Sequence, residues 1–288
     1  MKSIISKDNA NLSKKSIYSC LAESLEINGN HYLQLVKFER RKINEESVHE
    51  IRVTIRKLEA CLELLEILGI QQKKLTEELL LIRKIHGPLR NIHVELDSIK
   101  GIEKRIKSKQ FKIYLKQQKK KLEKKTLKTL DQIHLNKQHN QIKKVIEKLL
   151  QQDNPTKNKK ALSDMELQNQ TLFKKLEKTK KDYSPNVPKS IHAIRITAKR
   201  LRYQSEILKP VINFDNINLR HLKHFQDVFG KIQNNYILQK KIEKFLHKKP
   251  KKVNQSVLAL QSCIAKDKKT LLLRAGKMKG MNFLKVKE

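Results

Sequence analysis

The sequence predicts an all-α protein built from two copies of one helical unit. Three observations carry that prediction. Helix breakers are scarce, seven glycines and six prolines in 288 residues, while Lys, Leu, Glu and Gln, all good helix formers, abound. Apolar residues recur at the three-to-four spacing of a helix. One helical stretch also occurs twice, as "SVHEIRVTIRKLEACLELL" from Ser47 and as "SIHAIRITAKRLRYQSEIL" from Ser190.

Helical periodicity begins near Lys14 and continues through "IYSCLAESLEINGNHYLQLVKFERRKI", with a break or kink expected at Asn28–Asn30. A second helix covers "NEESVHEIRVTIRKLEACLELLEILG", in which Ile51, Ile55, Leu58, Leu62 and Leu65 share one face and Gly69 reads as the stop. "QKKLTEELLLIRKIHGP" is a third helix, expected to close or bend sharply at Gly87–Pro88. From there one long helix is expected toward Leu150, interrupted near 107–110. The polar stretch "QQDNPTKNKK" (151–160) reads as a linker. Helical pattern resumes at Ala161 and breaks at the two prolines of "DYSPNVPKS". The second copy of the repeated helix follows, ending near Pro210. "NLRHLKHFQDVFG", "KIQNNYILQKKIEKFLHKK" and a last helix over about 253–274 complete the chain.

The two copies overlay at one offset. His49 falls on His192, Arg52 on Arg195, Arg56 on Lys199 and Lys57 on Arg200, each 143 residues later. Seven of the 18 residues in 48–65 are identical to their partners, and the same offset carries Gly87 onto Gly230 and Asn91 onto Asn234. Low complexity does not hold one offset over so long a stretch, whereas duplication does. The expected organisation is an N-terminal bundle over 1–154 and a C-terminal bundle over 155–288, related by approximate twofold symmetry.

Charge bounds the function. Lys and Arg number 65 against 29 Asp and Glu, a net +36. So large a charge repels itself in a compact fold and calls for a counter-charge: nucleic acid, an anionic surface or a free polyanion. The three cysteines are scattered, with no Cys-x-x-Cys, which argues against a disulfide framework or a zinc site. A cytoplasmic location is expected. "MKSIISKDNANLSKK" lacks a signal-peptide core, and no stretch approaches the ~20 apolar residues of a spanning helix.

At about 100° per residue, His49, Arg52 and Arg56 form one stripe, with Lys57 to its side. The apolar residues take the opposite face. The second copy repeats this with His192, Arg195 and Lys199, flanked by Arg200, and Arg202 and Tyr203 join it. Glu63 and Glu206 lie close enough for some pairing, yet positive charge remains in excess. Arginine grips two phosphate oxygens with a planar fork, lysine supplies a point charge, and a neutral histidine donates one hydrogen bond. Two such helices face to face would line a positive channel suited to a linear polyanion.

"VHEIRVTIRKL" and "IHAIRITAKRLRY" resemble the hallmark of the CHAD family, the conserved-histidine α-helical domain: His-x-x-Arg-x-x-x-basic-basic-Leu in each half of a duplicated fold. "IRKIHGPLRNIHVEL" and "LKHFQDVFGKIQNNYIL" resemble a second family feature. The resemblance implies two four-helix bundles around a basic central channel that binds inorganic polyphosphate, with a link to polyphosphate granules. By the family pattern, anion contact is assigned to His49, Arg52, Arg56, Lys57, His192, Arg195, Lys199, Arg200 and Arg202. Proximity to the Gly87 turn and to the stripe adds Lys84, Arg90 and Tyr203. Two departures stand out. Asn91 and Asn234 occupy positions where the family often has Asp, and Glu59 stands where the second copy has Arg202, so the C-terminal wall is expected to bind more strongly.

Two rival readings fit the charge. A phosphohydrolase acting on polyphosphate or triphosphate would need a phosphate loop or a magnesium-binding acidic cluster. "GKMKG" (276–280) lacks the Walker pattern, and His221 and His224 read as packing or surface residues rather than metal ligands. No cofactor, metal or catalysis is expected. A nucleic-acid binder suits the charge, and non-specific nucleic-acid binding stays open. Aromatics are only 5 % and tryptophan is absent, however, and no nucleic-acid motif appears.

Overall fold

A computed structural model describes residues 15–103, 106, 108–185, 187–213, 219–248 and 255–278. Among these the fold is all-helical: α1 (Ile17–Arg41), α2 (Glu45–Ile67), α3 (Lys73–Glu103), α4 (Lys109–Asp131), α5 (Leu135–Gln152), α6 (Pro155–Lys181), α7 (Pro188–Leu208), α8 (Leu219–Lys248) and α9 (Gln255–Met278). The expectations on the first 14 residues, and on the end of "GKMKG", lie outside the described residues.

Local chemistry sets the ends of the repeated helices. Asn44 caps α2, accepting from the Ser47 amide at 2.7 Å while the Ser47 hydroxyl accepts from the Asn44 amide. Glu45 and Glu46 in the first turn oppose the positive end of the helix dipole. Gly69 terminates α2 at φ +74°, with Gly69 N–H donating to Glu66 C=O and Ile70 N–H to Leu65 C=O. In the second copy Pro188 occupies the first turn of α7, where its missing N–H is harmless.

Several breaks fall elsewhere than the sequence suggests. α1 runs straight through Gly29, whose lack of a side chain admits Ile142 of α5: a Cβ there would meet Ile142 Cδ1 at 3.1 Å. α3 continues through Gly87 and Pro88, and α8 through Gly230, so two expected helices are one. The stretch from α4 to α5 does break, at 132–134. There Arg40 of α1 donates to the Leu130 carbonyl at 3.1 and 2.8 Å, and also to that of Ile133. This satisfies the open carbonyl end of α4 and lets the chain turn. The supposed linker shrinks to Asp153 and Asn154, because Asn154 caps α6 and Pro155 starts it.

The packing order repeats. α1–α2, α2–α3 and α3–α4 pack in sequence, as do α6–α7, α7–α8 and α8–α9, and α2 packs against α7 between the copies. α5 lies against α1. Three apolar clusters hold the helices. One, around Leu25, Ile55 and Leu65, also takes in Met165, Tyr203 and Leu208 of the second copy. A second, around Phe225 and Phe229, belongs to α6–α9. The third joins Ile92, Phe111 and Leu115 to Ile242, Phe245 and Leu260.

Candidate anion-binding site

Where α2, α3 and α7 meet, a cavity of about 680 Å³ opens. α2 contributes Arg52 and Arg56, α7 contributes His192, Arg195 and Lys199, and α3 contributes Arg83. Each stripe thus delivers its second and third basic residues to one space. Among the described residues, Arg52, Arg56, Arg195 and Lys199 pair with no carboxylate.

The arginines at corresponding positions are seated in the same way. A Cβ at Gly87 would lie 3.4 Å from Arg52 Nη1, and one at Gly230 would lie 3.6 Å from Arg195 Nε. Each guanidinium therefore lies beside the helix backbone at the glycine 35 residues on, at a distance where a Cβ would make only ordinary contact. Arg52 Nη1 also donates to the Arg83 carbonyl at 2.8 Å. Arg195 Nε is buried without a hydrogen-bond partner, an open donor beside the cavity.

Electrostatics record the crowding. Burial, then Arg56, Arg195, Arg52 and Arg202, push the Lys199 amine down to about 5. Arg52 falls to about 10 through burial and the neighbouring Arg56, Arg83, Arg195 and Arg90, and Arg195 falls equally far through burial and Arg56. Both stripe histidines are lowered, first by partial loss of solvent around their rings. Arg90 then acts on His49, and Arg195 and Lys199 act on His192. At neutral pH both are uncharged donors.

The remaining candidates divide. Arg200 lines the cavity but is bound to Glu63 at 2.6 Å, and Gln204 donates to the same carboxylate at 2.8 Å. Its counterpart Lys57 lines a separate pocket of about 220 Å³ with Glu206 and Tyr203. Tyr203 borders both pockets. Arg202 leaves the cavity wall: it pairs with Glu206 at 3.1 Å and stacks 4.5 Å above the Tyr203 ring. His49 is exposed just off the wall, close enough to Arg90, Arg56 and Arg52 to feel their charge. Arg90 is tied to Glu45 at 3.0 Å, and Lys84 is exposed and outside the cavity.

The sequence reading missed Arg83 and placed Glu59 on the stripe only as a weakening departure. Arg83, not Lys84, faces inward; it follows the buried Ile82 directly and so sits at the core's edge. Glu59 is inside as well, with Arg83 Nε 2.9 Å from its Oε1 but not aligned for a hydrogen bond. Burial raises the Glu59 carboxyl, and Arg83 opposes the rise. Among the described residues no group of three or more His, Cys, Asp or Glu side chains is placed to hold a metal ion. His224 Nε2 accepts from Arg274 at 3.2 Å.

The CHAD domain family's sequence profile matches residues 27–243. The chain belongs to the CHAD domain family. Solved structures agree on the fold. The CHAD domain from the plant Ricinus communis superposes with a TM-score of 0.69 at 15 % identity, covering 93 % of this chain and 94 % of its own. PptA from Streptomyces chartreusis superposes with a TM-score of 0.57 at 10 % identity, covering 91 % and 97 %. No curated protein sequence matches the chain. The profile spans both copies of the histidine stripe, from within α1 to within α8.

Proposed function

We propose that this CHAD domain binds inorganic polyphosphate in the α2–α3–α7 cavity and does so without turning it over. One observation carries the reading: two arginines from α2 and an arginine and a lysine from α7 converge on one space without a carboxylate partner. Such a cluster is self-repelling until an anion bridges it. Phosphate oxygens suit it, because guanidinium forks take two oxygens each and Arg195 Nε is left with a free donor. His192 at the wall adds a neutral donor. An anion restores the charge of Lys199, which draws a proton from solution as the ligand enters. Association with polyphosphate granules follows as the cellular expression of this binding.

The test is a titration of long-chain polyphosphate, single-stranded RNA and duplex DNA at matched charge and several salt concentrations. Polyphosphate should bind more tightly at physiological salt, since nucleic acid has only the outer lysines to use. Arg195→Ala with Lys199→Ala should abolish that advantage, whereas Lys120→Ala with Lys124→Ala, on the exposed face of α4, should barely alter it. Equal affinity for nucleic acid, or equal losses from both pairs, would defeat the reading. Phosphate release in magnesium or manganese that disappears in His192→Ala would defeat the non-catalytic part.

A further inference from the structure

A second concentration of charge lies on α4, which packs on α3 and α1 and lends no residue to the cavity wall. Ten of its residues between Lys109 and Lys128 are exposed; seven are lysines and none is acidic. At about 100° per residue the seven fill one half of the helix's circumference, while Phe111, Leu115, Thr126 and Leu130 are buried on the other. Lys116, Lys120, Lys124 and Lys128 form an unbroken row at i,i+4, with Lys121 and Lys125 beside it. Like charges at that spacing oppose the helix. The one opposite pair on α4 is Lys119 with Glu123 at 3.6 Å, off the row. Among the described residues none of the seven exposed lysines has a carboxylate partner. The face repels itself, and an extended anionic surface would relieve it.

We propose that the lysine face of α4 docks the protein on an anionic lipid surface. Two features favour that partner over a nucleic-acid duplex. First, α4 has no arginine, so the face lacks the forks that grip individual phosphates. Lysine is a hydrated point charge, suited to the summed potential of many headgroups. Second, Ile113 is 46 % exposed and shares the face with Lys109, Lys116 and Lys120. An apolar side chain gains by entering the boundary between headgroups and acyl chains, whereas a phosphate backbone offers it no such refuge. The long lysine stems let ammonium groups from half a cylinder reach one plane. The apolar side of α4 is already buried in the core, so the helix rests on the surface by charge, and the attachment is reversible and weakened by salt. The face and the cavity share no residue, so the inference does not depend on what the cavity holds.

Co-sedimentation with vesicles at physiological salt tests this. Phosphatidylcholine vesicles containing about one third phosphatidylserine should carry the protein down, and pure phosphatidylcholine vesicles should not. Lys116→Gln/Lys120→Gln/Lys124→Gln/Lys128→Gln should lower partitioning more than 100-fold, at roughly fivefold per lysine, with a melting temperature no lower than wild type's. Lys160→Gln/Lys174→Gln/Lys175→Gln/Lys178→Gln on α6 removes the same charge from exposed positions and should cost far less. Ile113→Ser should weaken vesicle binding severalfold and leave binding to duplex DNA unchanged. Arg52→Ala/Arg195→Ala should bind vesicles as wild type does. Equal losses from the α4 and α6 sets, equal binding to the two kinds of vesicle, or vesicle binding indifferent to Ile113→Ser would overturn the proposal. So would an α4 variant that loses duplex DNA but keeps vesicles, which would assign the face to nucleic acid.

Discussion

Lys199 and His86 show how single buried groups tune this fold. Lys199 holds its amine down at about 5, against 10.5 for a free lysine. The unfolded chain therefore binds a proton that the folded chain releases, and stability rises with pH between those values. Below about 5 both states are protonated, and the buried charge weighs fully on the fold. Lys199→Met removes the effect. Its melting temperature should exceed that of wild type at pH 6, and the gap should narrow toward pH 9. Calorimetry of polyphosphate binding in buffers of differing ionisation heat should show proton uptake in wild type and less in the variant. His86 is a structural case. It donates from Nδ1 to the Ile82 carbonyl at 2.8 Å, and its Nε2 meets Glu39, which accepts from Ser47 at 2.9 Å. Both His86 and Glu39 are wholly buried. His86→Ala strands the carboxyl and should cost about 3–5 kcal/mol in denaturant melts. The apolar pair Glu39→Leu/His86→Phe should recover most of that loss, as Phe229 stands at the position corresponding to His86 in the second copy.

Helix packing turns three glycines into a controlled comparison. All lie inside helices, where alanine is favoured over glycine by roughly 0.5–1 kcal/mol. At Gly230 an added Cβ meets Arg195 at 3.6 Å and at Gly87 it meets Arg52 at 3.4 Å, both ordinary contacts. Gly230→Ala and Gly87→Ala should therefore stabilise by up to about 1 kcal/mol. Gly29→Ala presses on two methyl groups of Ile142 at 3.1 Å, and should destabilise in the same thermal melts. The comparison also marks what was legible in the sequence. Signals written in neighbouring residues were read, Gly69 as the stop of α2 and the prolines of "DYSPNVPKS" as the break before α7. The turn at 132–134 was not, because its cap is Arg40, some 90 residues away. Gly87 and Gly230 were read as breaks, since glycine commonly marks a helix end, yet α3 and α8 run through them. Periodicity placed Arg52, Arg56, Arg195 and Lys199 correctly on one face. It could not show that Arg200 and Arg202 would be taken up by Glu63 and Glu206.

At the scale of the molecule, the two sequence copies do not own separate interiors. Tyr203 and Leu208 of α7 sit in the cluster built on α1 and α2, and the third cluster needs α3 and α4 as much as α8 and α9. Fragments 1–154 and 155–288 should each lack the cooperative melt of the full chain, and mixing them should restore it. Far-ultraviolet circular dichroism would check this, and a full melt from either fragment alone would contradict it. The offset of 143 marks the repeated stretch in the sequence but not this interleaving, because burial across copies leaves no periodic mark of its own. The shared interior also has an evolutionary consequence. The copies agree on His, Arg and Leu in the stretch facing the cavity, then part company at Ala60, Cys61 and Leu62 against Tyr203, Gln204 and Ser205. All six are buried, and Ala60, Cys61, Leu62 and Tyr203 share one apolar cluster. A substitution in one copy is thus judged by the other copy's packing, so neither copy changes its buried face alone.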